Sequence, residues 1–142
     1  MSVERNKAIA RRLYDEVISG GDFEVFDELA DVHLIDHSLP PGWPQGREGA
    51  KANISYIRGA MSDWRFTIED LIAEGDKVVL RGTFRGTHAG EFFGIPPTGR
   101  RVEIPGIHIL KIVEGKVTEH WANNDDLRLM QQLGVIPARE QV

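Results

Sequence analysis

Residues 82–134 read GTFRGTHAGEFFGIPPTGRRVEIPGIHILKIVEGKVTEHWANNDDLRLMQQLG. Three strand-like runs follow one another here, joined by a Gly/Pro loop from Ala89 to Gly99 and a tight turn at Glu114-Gly115. In the middle run Val102, Ile104, Gly106, His108 and Leu110 fall on one side, and Ile107 and Ile109 on the other. A period of two over that length is the mark of a strand with one buried face. In the run before it, Val78, Leu80, Gly82, Phe84, Gly86 and His88 share one face, opposite Val79, Arg81, Thr83, Arg85 and Thr87. His88, His108, His120, Asp125 and Asp126 lie among these apolar neighbours. Titratable side chains on apolar strands point to a pocket wall rather than a plain core.

Upstream, the period changes. Ile9, Leu13 and Val17 recur every four residues, which predicts an amphipathic helix from Val3 to Ser19, ended by Gly20-Gly21. Asp22 caps a short second helix with Phe23, Phe26 and Leu29 inward. The segment His33 to Ser38 is brief and mixed. Pro40-Pro41-Gly42-Trp43-Pro44 is loop, because proline lacks the donor and fixes φ. A third helix is expected from about Arg47 to Met61. A strand follows with Trp64, Phe66 and Ile68 on one face, then a turn at Glu74-Gly75-Asp76. After the strands, Asp125 or Asp126 caps a closing helix that Gly134 ends. Helices first and hairpin-linked strands afterwards imply one α+β domain over residues 1–142. The expected form is a conical, barrel-like fold, with the N-terminal helices wrapped on a curved antiparallel sheet around a central pocket.

Bulk properties remove several function classes. A hydrophobic fraction of 41% with 27% charged residues is that of a soluble globular chain. The net charge of −5, with no Lys/Arg stripe, argues against nucleic acid. No apolar run approaches a membrane span, and Arg5, Lys7, Arg11 and Arg12 interrupt any N-terminal signal region. With no cysteine there is no thiol nucleophile or Cys metal site, and a cytoplasmic setting is expected. The glycines between Gly82 and Gly99 follow no phosphate-loop spacing.

The residues Gly86-Thr87-His88-x-Gly90, Phe93-Gly94-Ile95-Pro96-Pro97-Thr98-Gly99, Ile107-His108-Ile109, Glu114-Gly115-Lys116, His120-Trp121, Asp125 and Leu129-x-Gln131-Gln132-Leu133-Gly134 resemble the SnoaL-like polyketide cyclase (ester cyclase) family. That family lies within the nuclear transport factor 2-like superfamily. Asp36-His37 before a Gly/Pro loop, and Gly46-Arg47-Glu48-Gly49 opening a helix, are similar too. The resemblance implies a cofactor-independent enzyme, commonly a homodimer, that closes a ring in a polyketide by an intramolecular aldol step. It implies that His108 is the family's strand histidine and that Asp36 stands where the cyclases keep a pocket asparagine. Ala122 stands where they keep an acid/base aspartate, so the carboxylate chemistry would fall to Asp36 or Asp125.

An aldol-type closure or an isomerisation beside a carbonyl needs a base for a carbon-bound proton and a donor for the enolate oxygen. A carboxylate in an apolar cavity with a nearby histidine meets both needs. The catalytic candidates are therefore His108, Asp125 and Asp36. The pocket candidates are His37, His120, Trp121, Asn124, Tyr14, His88, Phe93 and Trp43. Blander roles stand beside these: His108 as a satisfied core residue, Asp125 as a helix cap, and Asp36 as a turn former. Asp36 and His37 are adjacent, so an extended backbone turns them to opposite faces. The H-x-x-D-H run from His33 to His37 suits a metal only on a helix, which this stretch does not resemble, and no metal is expected. Two rivals remain: a non-catalytic pocket or dimerisation module, and a hydrolase or hydratase. The second would need an arginine between two carboxylates, whereas Arg81 and Arg85 lie opposite Phe84 and His88.

Overall fold

The computed structural model describes residues 2–137. Helix α1 spans Val3–Arg12, with the Ser2 hydroxyl accepting from the Arg5 N–H as its cap. The chain then widens into a π-helical segment, Leu13–Ser19. The sequence shows one continuous helix there, because a change of turn width leaves the apolar spacing nearly intact. The wider turn buries Leu13, Tyr14 and Val17 together. Helix α2 is Phe23–Leu29, capped by Asp22. Strand β1 is Ala30–Asp36 and helix α3 is Gly46–Ala60. Strands β2, β3, β4 and β5 are Met61–Glu74, Lys77–His88, Arg101–Val113 and Lys116–Asn124. Helix α4, Asp126–Gln132, follows at once.

The five strands form one sheet in the order β1-β5-β4-β3-β2. Four are antiparallel neighbours, as the hairpin succession requires. The fifth, β1, joins β5 in parallel and adds an edge that the mixed segment around His33 does not display in sequence. Its register places Asp36 against His120. Breaks in register between Ser62 and Arg65 and between Ile68 and Asp70 bend β2, as bulges do, and the sheet curves over the helices.

The inner face carries the core. Val78, Leu80, Phe84, Ile104 and Leu110 from the sheet meet Ala10, Val17, Phe26 and Leu29 from the helical side, all buried. Gly82 and Gly106 face each other across β3 and β4. A β-carbon on Gly82 would lie 2.3 Å from the Thr67 carbonyl oxygen and 2.5 Å from the Phe66 ring, so the bare position is what lets Phe66 lie across the sheet. Gly82→Ala is expected to cost about 1–3 kcal/mol through this overpacking. Urea denaturation would show a lower midpoint at unchanged slope, and an unchanged midpoint would contradict the packing described.

Candidate active site

A cavity of about 410 Å³ lies between the curved sheet and the helices. Its walls are largely apolar and aromatic, with Tyr14, Trp64, Phe84, Phe92 and Phe93 contributing rings. The polar groups converge on one side. His108 sits on the inner face of β4, and His120, Ala122 and Asn124 alternate inward along β5. His108 is paired with Ala122 in the register, and its ring reaches the residues on either side of that alanine. Its Nδ1 is 3.0 Å from His120 Nε2, and its Nε2 is 2.9 Å from Asn124 Oδ1. The Tyr14 hydroxyl comes down from the π-helical segment to 2.6 Å from His108 Nδ1 and 3.3 Å from His120 Nε2.

Asp36 closes the other end of this chain. Its Oδ1 is 2.9 Å from His120 Nδ1, and it accepts from the Ser38 hydroxyl at 2.6 Å and the Ser38 N–H at 2.9 Å. All three contacts fall on one oxygen, and Oδ2 takes no hydrogen bond from the described residues. The turn-forming role and the pocket role therefore coexist: Oδ1 makes the turn with Ser38 while the carboxyl group lines the cavity.

Burial governs the electrostatics. It drives the His108 pKa down to about 3, helped by the charge of His120 and opposed by Asn124 and Asp36. The Phe66 and Phe84 rings, with centroids 5.4 and 5.7 Å from that of His108, supply the apolar wall. Burial and the Asp36 charge hold the Tyr14 phenol well above its usual value, so it remains an O–H. Burial pushes the Asp36 pKa upward, but the His120 contact and the Ser38 hydrogen bonds outweigh it, and the carboxyl stays below its usual value.

Directions follow from this arithmetic. A neutral His108 with Nε2–H donating to Asn124 Oδ1 has a lone pair on Nδ1, which accepts from Tyr14. His120 then donates from Nδ1 to Asp36, and its Nε2 lies beside the His108–Tyr14 pair. Asp36, His120, Tyr14, His108 and Asn124 are one continuous hydrogen-bonded line.

Six of the expected site residues line the cavity: Asp36, His108, His120, Asn124, Tyr14 and Phe93. Five do not. Asp125 is a correction: it caps α4, accepting from the Arg128 N–H at 3.0 Å and pairing with the Arg128 guanidinium at 3.4 Å. Its neighbour Asp126 lines the cavity mouth instead, with its pKa raised by burial and by Asp125. His37 and Trp121 stack on the outer face, centroids 5.1 Å apart, and His37 Nε2 is 2.6 Å from Glu119 Oε2. They neighbour Asp36 and His120 in sequence on adjacent strands, so they must point the other way. His88 is fully buried, takes the Thr98 N–H on Nδ1, and fixes the loop over residues 89–99 rather than lining the cavity. Trp43 donates its indole N–H to the Gly49 carbonyl at 2.9 Å, holding the start of α3. Ser38 was absent from the expected site, and Asp126 stood there only as one of the titratable residues of the strand region. The Asp-x-Ser spacing is the available signal for Ser38.

A curved sheet closed by helices over one buried acid–base line defines an α+β fold of the nuclear transport factor 2-like kind. Residues 8–133 match the family model of the SnoaL-like polyketide cyclases, and the chain belongs to that family. It is 39% identical over 117 residues to the nogalonic acid methyl ester cyclase of Streptomyces nogalater, covering 82% of this chain and 87% of that one. It is 33% identical over 130 residues to the aklanonic acid methyl ester cyclase DauD of Streptomyces sp. (strain C5), covering 89% and 80%. Among solved structures, TsrD from Streptomyces laurentii superposes with a TM-score of 0.87 at 30% identity, covering 96% of this chain and 99% of that one. Among the described residues, no helix is long and apolar enough to cross a membrane.

The burial of neutral His108 has a consequence for stability. Between 6.5 and about 3 the unfolded chain holds a proton on this residue that the folded chain does not. Stability is therefore expected to fall as pH drops through that window, by up to about 1.4 kcal/mol per pH unit from this group. Asp36 adds to the loss lower down. Its contribution is present above its ordinary value of 3.8 and vanishes as pH falls through its lower folded value. Urea denaturation between about pH 4.5 and about pH 7 should show a shallower pH slope for His108→Gln than for the native chain. Equal slopes would mean that His108 is not buried neutral.

Proposed function

We propose that the cavity carries out an acid/base ring closure, without metal or organic cofactor, on an uncharged polyketide-type carbonyl compound. Asp36 Oδ2 takes a proton from a carbon next to a carbonyl. The resulting enolate carbon attacks a second carbonyl carbon of the same molecule, forming the new carbon–carbon bond. The electron pair of that carbonyl moves to its oxygen, which takes a proton from the His120–Tyr14 pair. Asp36 and the donor pair regain their starting protonation by exchange with solvent, so no net proton is gained or lost. Proton transfer of this kind contributes about 10²–10⁴-fold, and the walls supply the positioning.

The observation that carries this reading is that Asp36, whose Oδ2 takes no hydrogen bond from the described residues, ends a hydrogen-bonded line on the wall of a largely apolar cavity. The names of the cyclase relatives support the reaction class. The charge of the substrate is argued from the lining, which includes Asp36 and Asp126 and, among the described residues, no Lys or Arg. A buried anion there would lack a partner and face two carboxylates. We assign the working form as a homodimer, for which the outer sheet face, with Ile35 and Ile107 about half exposed, offers apolar surface. The rival reading, a pocket that binds without turnover, draws on the expectation that Ala122 stands at the family's acid/base position.

Aklanonic acid methyl ester is the first probe to try. Asp36→Asn is expected to lower kcat by about 10²–10⁴-fold with KM little changed. Asp125→Asn should leave kcat within about threefold, since it only weakens a helix cap. Full turnover by Asp36→Asn would remove Asp36 as the base, and tight binding without turnover by the native chain would favour the rival.

A further inference from the structure

We infer that Gly106 is a positioning residue, whose missing side chain is the space in which Asn124 holds the His108 ring. This deepens the ring-closure reading, because it names what fixes the orientation of a group in the proposed proton line. Glycine in the middle of a strand weakens the strand, so its presence needs a local cause. Backbone conformation is not the cause: Gly106 is not among the glycines with positive φ. Its pairing supplies one. Gly106 lies directly opposite Asn124 across β4 and β5. A β-carbon there would lie 2.0 Å from Asn124 Oδ1, 3.1 Å from its amide carbon and 3.4 Å from His108 Nε2. The nearest atoms all belong to the two side chains of one hydrogen bond.

The contrast with Gly82 sharpens this. There an added β-carbon meets a backbone oxygen and an aromatic ring wedged in the core. At Gly106 it meets the end of an amide that can swing away, so the chain can still fold but the Asn124–His108 contact is lost. That contact sets the tautomer of His108. While Asn124 Oδ1 accepts, the proton is held on Nε2 and the Nδ1 lone pair faces Tyr14 and His120. Once the amide leaves, nothing within reach on the Asn124 side selects that form, and the ring can carry its proton on Nδ1, toward Tyr14. The Tyr14 hydroxyl then accepts from His108 instead of donating to it, and the line is reversed between those two residues.

The test is the imidazole ¹H–¹⁵N spectrum of the full-length protein, labelled at histidine, at about pH 7. The native chain should show His108 neutral with its proton on Nε2. Gly106→Ala and Asn124→Ala should each abolish that signature, and the double variant should match Asn124→Ala alone. With aklanonic acid methyl ester as probe, Gly106→Ala should lower kcat by about 100-fold with KM within about twofold. An unchanged Nε2–H signal in Gly106→Ala would overturn the inference. If Gly106→Ala does not fold, folding should be restored in the double variant, where the clashing amide is gone; failure of both would overturn it as well. The spectra need no substrate, so absence of turnover would count against the ring-closure reading and leave this one standing.

Discussion

The contact between Asp36 and His120, 2.9 Å long and shielded from water, is the constraint on which the rest depends. An ionised carboxylate leaves water only if its oxygens are matched by donors. Here one oxygen is fully matched, by Ser38 twice and His120 once, while the other takes no hydrogen bond from the described residues. The architecture exists to make that half-match possible. The parallel pairing of β1 with β5 sets Asp36 against His120, and the turn after β1 brings Ser38 back to the same oxygen.

From that contact the polarity spreads inward. His120 reaches His108 and Tyr14, and His108 reaches Asn124, so four more polar side chains are held buried or half-buried in one hydrogen-bonded set. Burial keeps His108 neutral and Tyr14 protonated, which leaves Asp36 as the carboxylate at the end of the line. Two small residues give the rings room. Ala122 stands opposite His108, which reaches past it on both sides, and Gly106 leaves space for the Asn124 amide. A larger side chain at either position would compete with the hydrogen bonds for the same volume.

The fold was legible wherever one face of an element is uniformly apolar. β4 alternates without interruption, so His108 shares a face with Val102, Ile104 and Leu110, and that face is the inner one; on β5 both His120 and Trp121 stood as pocket candidates, and only the pairing turns His120, Ala122 and Asn124 inward. β1 was not legible because it is an edge strand with an irregular register: Leu34 and Asp36 turn inward while Val32 and Ile35 are about half exposed. Of the two roles the sequence allows Asp125, the structure takes the helix cap, and Asp126 lines the cavity. Pairing of β1 with β5 also decides His37 and Trp121, since neighbours of two inward residues on adjacent strands stack on the opposite face. No local pattern carries that information without the pairing.

The central claim is that Asp36 and Tyr14 work as members of one hydrogen-bonded unit. Its most direct measurement is kcat/KM for Asp36→Asn, Tyr14→Phe and the double variant on one probe, aklanonic acid methyl ester. For a single unit the double variant should lose no more than the worse single variant, within about threefold. Losses that multiply would show two independent contributions and contradict the claim.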